Sequence, residues 1–250
     1  MDSAQVFHWH KTDKGYAAVV DGKIMTEKDD TPEAAFYFDD ARDYSILAKD
    51  CSHFEKAARA VTLLPGLKVL NQPTWETLLQ FILSANNNVK RIRGLVLKLC
   101  EVYGTSIAYE GNTYYTFPSP EALAGIDPSV LQKHVTCGYR ADYLVTTAAM
   151  VRDGFDLEGL RHMPLEQARK ELLRLKGVGP KVADCVLLFG CGHADAFPVD
   201  VWVQRLMESW FGVTGSPQKV SDKARELLGE RCGLIQQSLF HAARCSLIEL

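Results

Sequence analysis

From Leu172 to Cys185 the chain reads LLRLKGVGPKVADC, and this run constrains the fold more than any other. Leu172 and Leu175 lead into Gly177-Val178-Gly179, then Pro180, and then Val182, Val186 and Phe189 at helical spacing. Glycine permits the positive φ of a tight turn and proline suits a helix's first turn, so the run specifies two helices joined by a sharp corner. Amide N–H groups left free at such a helix start can bind a phosphate. Arg169, Lys170, Arg174, Lys176 and Lys181 add local positive charge, opposed between 169 and 181 only by Glu171. Taken alone, these features fit equally a solvated basic helix before an ordinary corner and a turn that grips nucleic-acid backbone without reading sequence.

The surrounding chain suits a helical protein behind a small β unit. Residues 5–38 hold short aromatic and β-branched stretches, VFHW, YAAVV and KIMTE, separated by DKG and DG turn signals, and read as an antiparallel β unit. From about residue 52 the period becomes helical: Trp75, Leu78, Leu79 and Ile82, then Ile92, Val96 and Leu99 after Asn86-Asn87-Asn88. Leu144, Ala148 and Val151, then Val203, Met207 and Trp210, and last Leu239, Ala243 and Leu247 mark further helices, while Pro118 to Pro128 reads as a loop. The expected fold is mainly α with a small N-terminal antiparallel β unit, an α+β class. Residues 1–48 form the β unit and 49–250 the helical core in this reading.

With 47% hydrophobic and 24% charged residues, the chain can bury a real core in one or two domains. No apolar run approaches the roughly 20 residues that span a bilayer, and MDSAQVFHWHK lacks a signal-peptide pattern. An intracellular protein is expected, in cytoplasm or nucleoid if prokaryotic and in the nucleus if eukaryotic. Seven cysteines, an odd number without a C-x-x-C pair, argue against a zinc knuckle or a disulfide framework, leaving most of them as reduced, buried thiols. A net charge of −3 gives no global attraction to nucleic acid, so DNA binding would need local basic surface.

Phe197-Pro198-Val199-Asp200 precedes the helix of Val203, Met207 and Trp210, which makes Asp200 an N-cap or first-turn acid. A structural cap explains it by itself. Its pairing with Lys181 is less ordinary: the lysine opens one helix and the acid opens the next.

LKGVGPKVADCVLLFG followed by AFPVDVW closely resembles the helix-hairpin-helix-Gly/Pro-Asp superfamily of base-excision DNA glycosylases, and within it the 8-oxoguanine DNA glycosylase/AP lyase family. QPTWETLLQFILSANNNVKRIRGLVLKLCEVYG, CGYRADYL and QQSLFHAARC also resemble family segments in family order, so the likeness covers about residues 3 to 248. The resemblance implies two helical subdomains flanking a DNA-binding cleft, with the helix-hairpin-helix at about 165–191. It implies a bifunctional enzyme that flips a damaged nucleotide from the duplex, breaks its glycosidic bond by attack of the Lys181 amine at C1′, and nicks the strand by β-elimination. A lysine of ordinary pKa, about 10.4, is protonated at neutral pH, so the site must favour the free amine; burial and the positive end of a helix act that way. Asp200 matches the aspartate that stabilises the oxocarbenium-like sugar.

By the same resemblance Cys185 and Phe240 sandwich the extruded purine and Gln236 bonds its Watson–Crick edge. The i, i+4 spacings of Lys181 with Cys185 and of Gln236 with Phe240 put each pair on one helix face. Buried core positions would explain Cys185 and Phe240 equally, whereas a buried glutamine needs a partner. Asn86, Arg91, Tyr139 and Arg140 match positions that fill the vacated stack, wedge beside the orphan base and donate to cytosine. Without the resemblance, Asn86 to Asn88 read as a helix-terminating turn and Arg140 as a solvent-facing charge. Gly177, Val178 and Gly179 match backbone contacts to DNA, and the carbonyls of Leu173, Leu175 and Val178 match a monovalent cation site. No cofactor is expected to be required.

Two positions depart from the family pattern. Ala4-Gln5 stands where a Gly-Gln pair is usual, whose glycine carbonyl accepts the N7–H of 8-oxoguanine, and the resemblance leads to the expectation that a preceding family strand is missing or cut short. Trp202 stands where histidine is usual near a phosphate. Relatives that act on oxidised pyrimidines or mismatched adenine carry a four-cysteine iron–sulphur cluster, which Cys232 and Cys245 cannot supply. A non-catalytic helix-hairpin-helix module would need neither Lys181 nor Asp200. The expected partner is double-stranded DNA with oxidised guanine, bound by a monomer, with no membrane role.

Overall fold

The computed structural model describes residues 3–249. Strands β1 (His10–Thr12), β2 (Gly15–Val20) and β3 (Lys23–Thr26) form an antiparallel sheet in that order, with His10 opposite Ala17 and Ala18 opposite Met25. Asp21 and Gly22 link β2 to β3 with positive φ at both positions, 47° and 73°, as a two-residue hairpin of right-handed strands requires. The sheet is shorter than the 5–38 span read from the sequence. Around Phe7 the chain forms no strand because helical side chains take its backbone groups: Phe7 N–H donates to Gln80 Oε1, and the Phe7 and Trp9 carbonyls accept from Arg93.

Helix α1 (Pro32–Tyr37) ends the former β stretch, with the Thr31 hydroxyl accepting from Ala34 N–H and Pro32 in the first turn. Then follow α2 (Leu47–Asp50), α3 (Glu55–Leu63), α4 (Thr74–Ser84) and α5 (Val89–Tyr103). A hairpin of β4 (Ser106–Tyr109) and β5 (Asn112–Tyr115) interrupts the region read as wholly helical, turning at Glu110 and Gly111, both of positive φ. The stretch expected to be a loop contains α6 (Pro120–Ala124), because Ser119 caps Ala122 N–H and Pro120 begins the first turn. The remaining helices are α7 (Pro128–Val135), α8 (Arg140–Arg152), α9 (Leu165–Leu172), α10 (Pro180–Gly190), α11 (Val201–Phe211), α12 (Pro217–Leu228) and α13 (Cys232–Arg244). Leu247 falls beyond α13 and is exposed.

Helices α4 to α8 pack on one another, and α2, α3, α11, α12 and α13 make a second group. Helix α10 joins them, lying against α4 on one side and α9 and α12 on the other. One continuous core runs through Ile82, Leu99, Leu144, Val186, Phe197, Met207 and Ile235. Phe7 and Leu47 belong to that core too, and a boundary between residues 48 and 49 falls inside α2. Among the described residues no helix is long and apolar enough to cross a membrane.

Candidate active site

The corner between α9 and α10 depends on Gly177, whose φ is 82°; a Cβ there would stand 2.5 Å from the Tyr143 ring. Val178 N–H closes the turn on the Leu175 carbonyl at 3.2 Å. Gly179 then caps α10 in extended geometry, Pro180 begins it, and no side chain caps its first-turn amides. The carbonyls of Leu173, Leu175 and Val178 are neutral oxygen donors of the kind a hard cation takes.

Lys181 sits in this first turn, half-buried. Its Nζ donates to Ser84 Oγ at 3.0 Å and lies 4.9 Å from the centre of the Phe81 ring. Ser84 donates its own hydroxyl proton to the Phe81 carbonyl at 2.7 Å, so its oxygen is turned to accept from the lysine. One turn along α10, Cys185 is fully buried. Burial pushes its thiol up to about 12, with Lys181 pulling in the opposite direction and Asp200 adding to the rise. Cys185 is therefore a neutral, polarizable surface rather than a thiolate nucleophile. Asp200 caps α11, its Oδ1 accepting Val203 N–H at 2.8 Å, and its charge acts on the same thiol.

From α13, Gln236 donates to the Pro198 carbonyl at 3.4 Å, two residues before Asp200, while its buried Oε1 has no partner. Phe240 lies one turn later, partly buried against the core. Ala4 holds φ at 61°, the left-handed region that costs an alanine about 1–2 kcal/mol. The flanking Ser3 carbonyl accepts from Gln237 at 2.7 Å, which brings this segment to α13.

On the far side of Lys181, Asn86 ends the α4 run with φ 52° and is exposed. Tyr139 is 53% exposed and meets Tyr143 edge-on at 5.4 Å. Arg140 is buried rather than solvent-facing: its guanidinium donates to the carbonyls of Ala85, Asn86 and Cys137 and lies 4.6 Å from the Tyr139 ring. Asn86, Tyr139 and Arg140 thus form one cluster. Arg91 is exposed in the first turn of α5, where its N–H is capped by Asn88.

The basic run is weaker than its sequence count. Arg169 is buried and bonded to Asp184 at 2.7 Å and Glu166 at 2.6 Å, Arg174 pairs with Glu171, and Lys176 pairs with Asp142 at 2.6 Å. Folding brings in carboxylates from outside the run, which counting along it cannot see. Burial raises the Asp184 carboxyl to about 6 despite the opposing pull of Arg169.

Residues 79–230 match the sequence pattern of the HhH-GPD superfamily base excision DNA repair proteins. The chain belongs to that superfamily. Over 205 residues it is 33% identical to the probable N-glycosylase/DNA lyase of Methanothermobacter thermautotrophicus, covering 74% of this chain and 66% of the relative. The N-glycosylase/DNA lyase of Saccharomyces cerevisiae is 33% identical over 63% of this chain and 45% of its own length. The chain thus spans less than two thirds of each of these curated relatives. Among solved structures, the Clostridium acetobutylicum 8-oxoguanine glycosylase/lyase, in complex with double-stranded DNA containing cytosine opposite 8-oxoguanine, is 32% identical. It superposes with a TM-score of 0.91 over 99% of this chain and 91% of that one.

In this HhH-GPD chain, the fold gathers Lys181, Cys185, Asp200, Gln236 and the Ala4 segment at the junction of the two helical groups. Sequence reading missed two contributors, Ser84 and Phe81, and also the bond from Gln237 that ties the Ser3 carbonyl to α13. Ser84 could have been found as a hydroxyl ending an apolar helix beside the Asn86 turn. Gln237 adjoins Gln236 but carries no periodic signal.

Proposed function

We propose that the chain is a bifunctional base-excision enzyme that removes 8-oxoguanine, preferably opposite cytosine, from duplex DNA and nicks the abasic site left behind. One observation carries the reading: the Lys181 amine, held by Ser84, opens α10, the Asp200 carboxylate opens α11, and the charges of both reach the same Cys185 thiol. The free amine donates its lone pair to C1′ as the glycosidic bond breaks; that bond's electron pair leaves with the base, whose nitrogen takes up the proton that the attacking amine sheds. The Asp200 carboxylate offsets positive charge on the sugar in this step. The adduct nitrogen's lone pair then expels the ring oxygen, which takes up a proton, to give the Schiff base; loss of a C2′ proton drives out the 3′ phosphate by β-elimination and cuts the strand.

Cys185 and Phe240 offer a soft and an aromatic face to a flat purine, and Gln236 brings an unpartnered buried oxygen for its Watson–Crick edge. Asn86, Arg91, Tyr139 and Arg140 take the opposite strand, and Gly177, Val178 and Gly179 the backbone. No step requires a cofactor; a monovalent cation at the carbonyls of Leu173, Leu175 and Val178 would add positive charge where the DNA backbone meets the turn. The enzyme of this reading acts as a monomer in the nucleus or nucleoid.

Borohydride trapping on duplexes with 8-oxoguanine opposite each of the four bases tests the reading. The expected result is a covalent adduct, strongest opposite cytosine and absent in Lys181→Gln. Binding without any adduct in the unaltered protein would instead support a non-catalytic DNA-binding module.

A further inference from the structure

Ala4 holds a left-handed backbone with no side-chain atom able to bond back and support it. Support comes from both sides of the turn. The Ser3 carbonyl accepts from Gln237 Nε2 at 2.7 Å and the Gln5 carbonyl accepts from Gln72 Nε2 at 2.7 Å. The Gln5 amide donates to Ser3 Oγ and to the Lys68 carbonyl, both at 2.9 Å, and accepts from Leu70 N–H at 2.8 Å. Gln80 on α4 donates to Gln72 Oε1 at 3.1 Å and completes the chain of amides. Gln5, Gln72, Gln80 and Gln237 are all buried.

Burying four primary amides costs desolvation that their hydrogen bonds do little more than offset. Apolar side chains would fill the same volume, so packing alone does not call for glutamine. What the amides add is direction: they fix the carbonyls on either side of Ala4. Gln237 also follows Gln236 on α13, and successive helical residues point about 100° apart. One glutamine therefore addresses the base pocket while its neighbour addresses the N-terminal turn.

We propose that Gln237 is a positioning residue: by holding Ser3 it sets where the Ala4 carbonyl points, and so sets discrimination of 8-oxoguanine from guanine. This rests on the glycosylase reading above. The carbonyl is an acceptor, which suits the N7–H of 8-oxoguanine and repels the N7 lone pair of guanine.

The test places Gln237→Ala and Gln237→Met separately in a Lys181→Gln background and measures Kd for duplexes with 8-oxoguanine or guanine opposite cytosine. Methionine keeps the length of glutamine without its donor, so shape is retained even if alanine fails to fold. The preference for 8-oxoguanine should fall about tenfold, as expected for loss of one buried hydrogen bond with its carbonyl left unpaired. With Lys181 intact, nicking of a preformed abasic duplex should stay within about twofold, since that step uses no base contact. An unchanged preference in the Gln237→Met protein overturns the proposal, as does a loss of abasic nicking without loss of preference. A parent protein that nicks abasic DNA but does not prefer 8-oxoguanine to guanine overturns the substrate reading itself, and the proposal with it.

Discussion

Lys181 Nζ and Ser84 Oγ are 3.0 Å apart, joining the first turn of α10 to the last turn of α4. The bond crosses the packed face between α4 and α10 and fixes a long, flexible side chain at the point where α10 presents it. Because Ser84 donates to the Phe81 carbonyl, its oxygen can only accept from Lys181, which sets the direction of the amine.

Ser84→Ala should therefore slow the chemistry without removing it. The amine keeps its helix position and loses its anchor, and single-turnover excision should fall about tenfold, a typical cost of losing one well-placed hydrogen bond in an active site. Affinity for duplex DNA, measured by fluorescence anisotropy, should change little. An excision rate equal to the parent's would show that the contact does not orient the nucleophile.

Gly177→Ala meets two obstacles at once. Its φ of 82° is strained for alanine, and the added Cβ would come within 2.5 Å of the Tyr143 ring. Shifting the turn to relieve both moves Val178, Gly179 and the start of α10. The expected outcome is a loss of about 1–3 kcal/mol in urea unfolding together with weaker DNA binding. Unchanged affinity at reduced stability would separate the corner from the DNA surface.

Much of this site was legible because its parts are local. Gly177 through Cys185 is one turn and one helix, and Asp200 is a cap, so spacing alone placed Lys181 and Cys185 on one face. Residues around Ala4 were less legible because their partners are long-range: Gln237 meets Ser3, and Gln80 meets Phe7. Buried amides also break the rule that an apolar stretch of β-branched and aromatic residues pairs as a strand, which is why the sheet stops short of Phe7. Arg169 was misread for a similar reason, since Asp184, its buried partner, lies on the helix after the turn. The hairpin of β4 and β5 did carry a signal, Glu110-Gly111 between Tyr109 and the Tyr114-Tyr115 pair, hidden by the helical pattern on both sides.

Glu76, on α4, makes stability depend on alkaline pH. Its Oε1 accepts Asp21 N–H at 2.9 Å, its Oε2 is buried without a partner, and burial raises the carboxyl from 4.5 to about 8. A raised folded value means that the contribution is full below the unfolded value and is lost as pH rises through about 8. Between about pH 7 and about pH 8.5 the loss should reach roughly 1 kcal/mol. In that window Asp184, raised to about 6, is largely ionised, and His8, lowered to about 3, stays neutral. Urea midpoints should thus fall across the window in the parent and stay flat in Glu76→Gln. Parallel slopes in the two proteins would assign the dependence to another group.

Trp202 is 44% exposed in the first turn of α11, two residues past Asp200, and Val201 beside it is 65% exposed. The exposed indole face beside the Asp200 cap can stack on a nucleobase or deoxyribose. Its contribution to DNA binding should then come from stacking rather than charge. Trp202→Ala should raise Kd for duplex DNA about tenfold, in line with roughly 1–3 kcal/mol for an aromatic–base contact. Because no cation is removed, the slope of log Kd against log salt should match the parent's between about 50 and 200 mM salt. Trp202→His, by adding a donor that can meet a phosphate, should recover part of the affinity and steepen that slope at pH values where the imidazole is charged. Equal affinities for Trp202→Ala and the parent at every salt concentration would place Trp202 outside the DNA footprint.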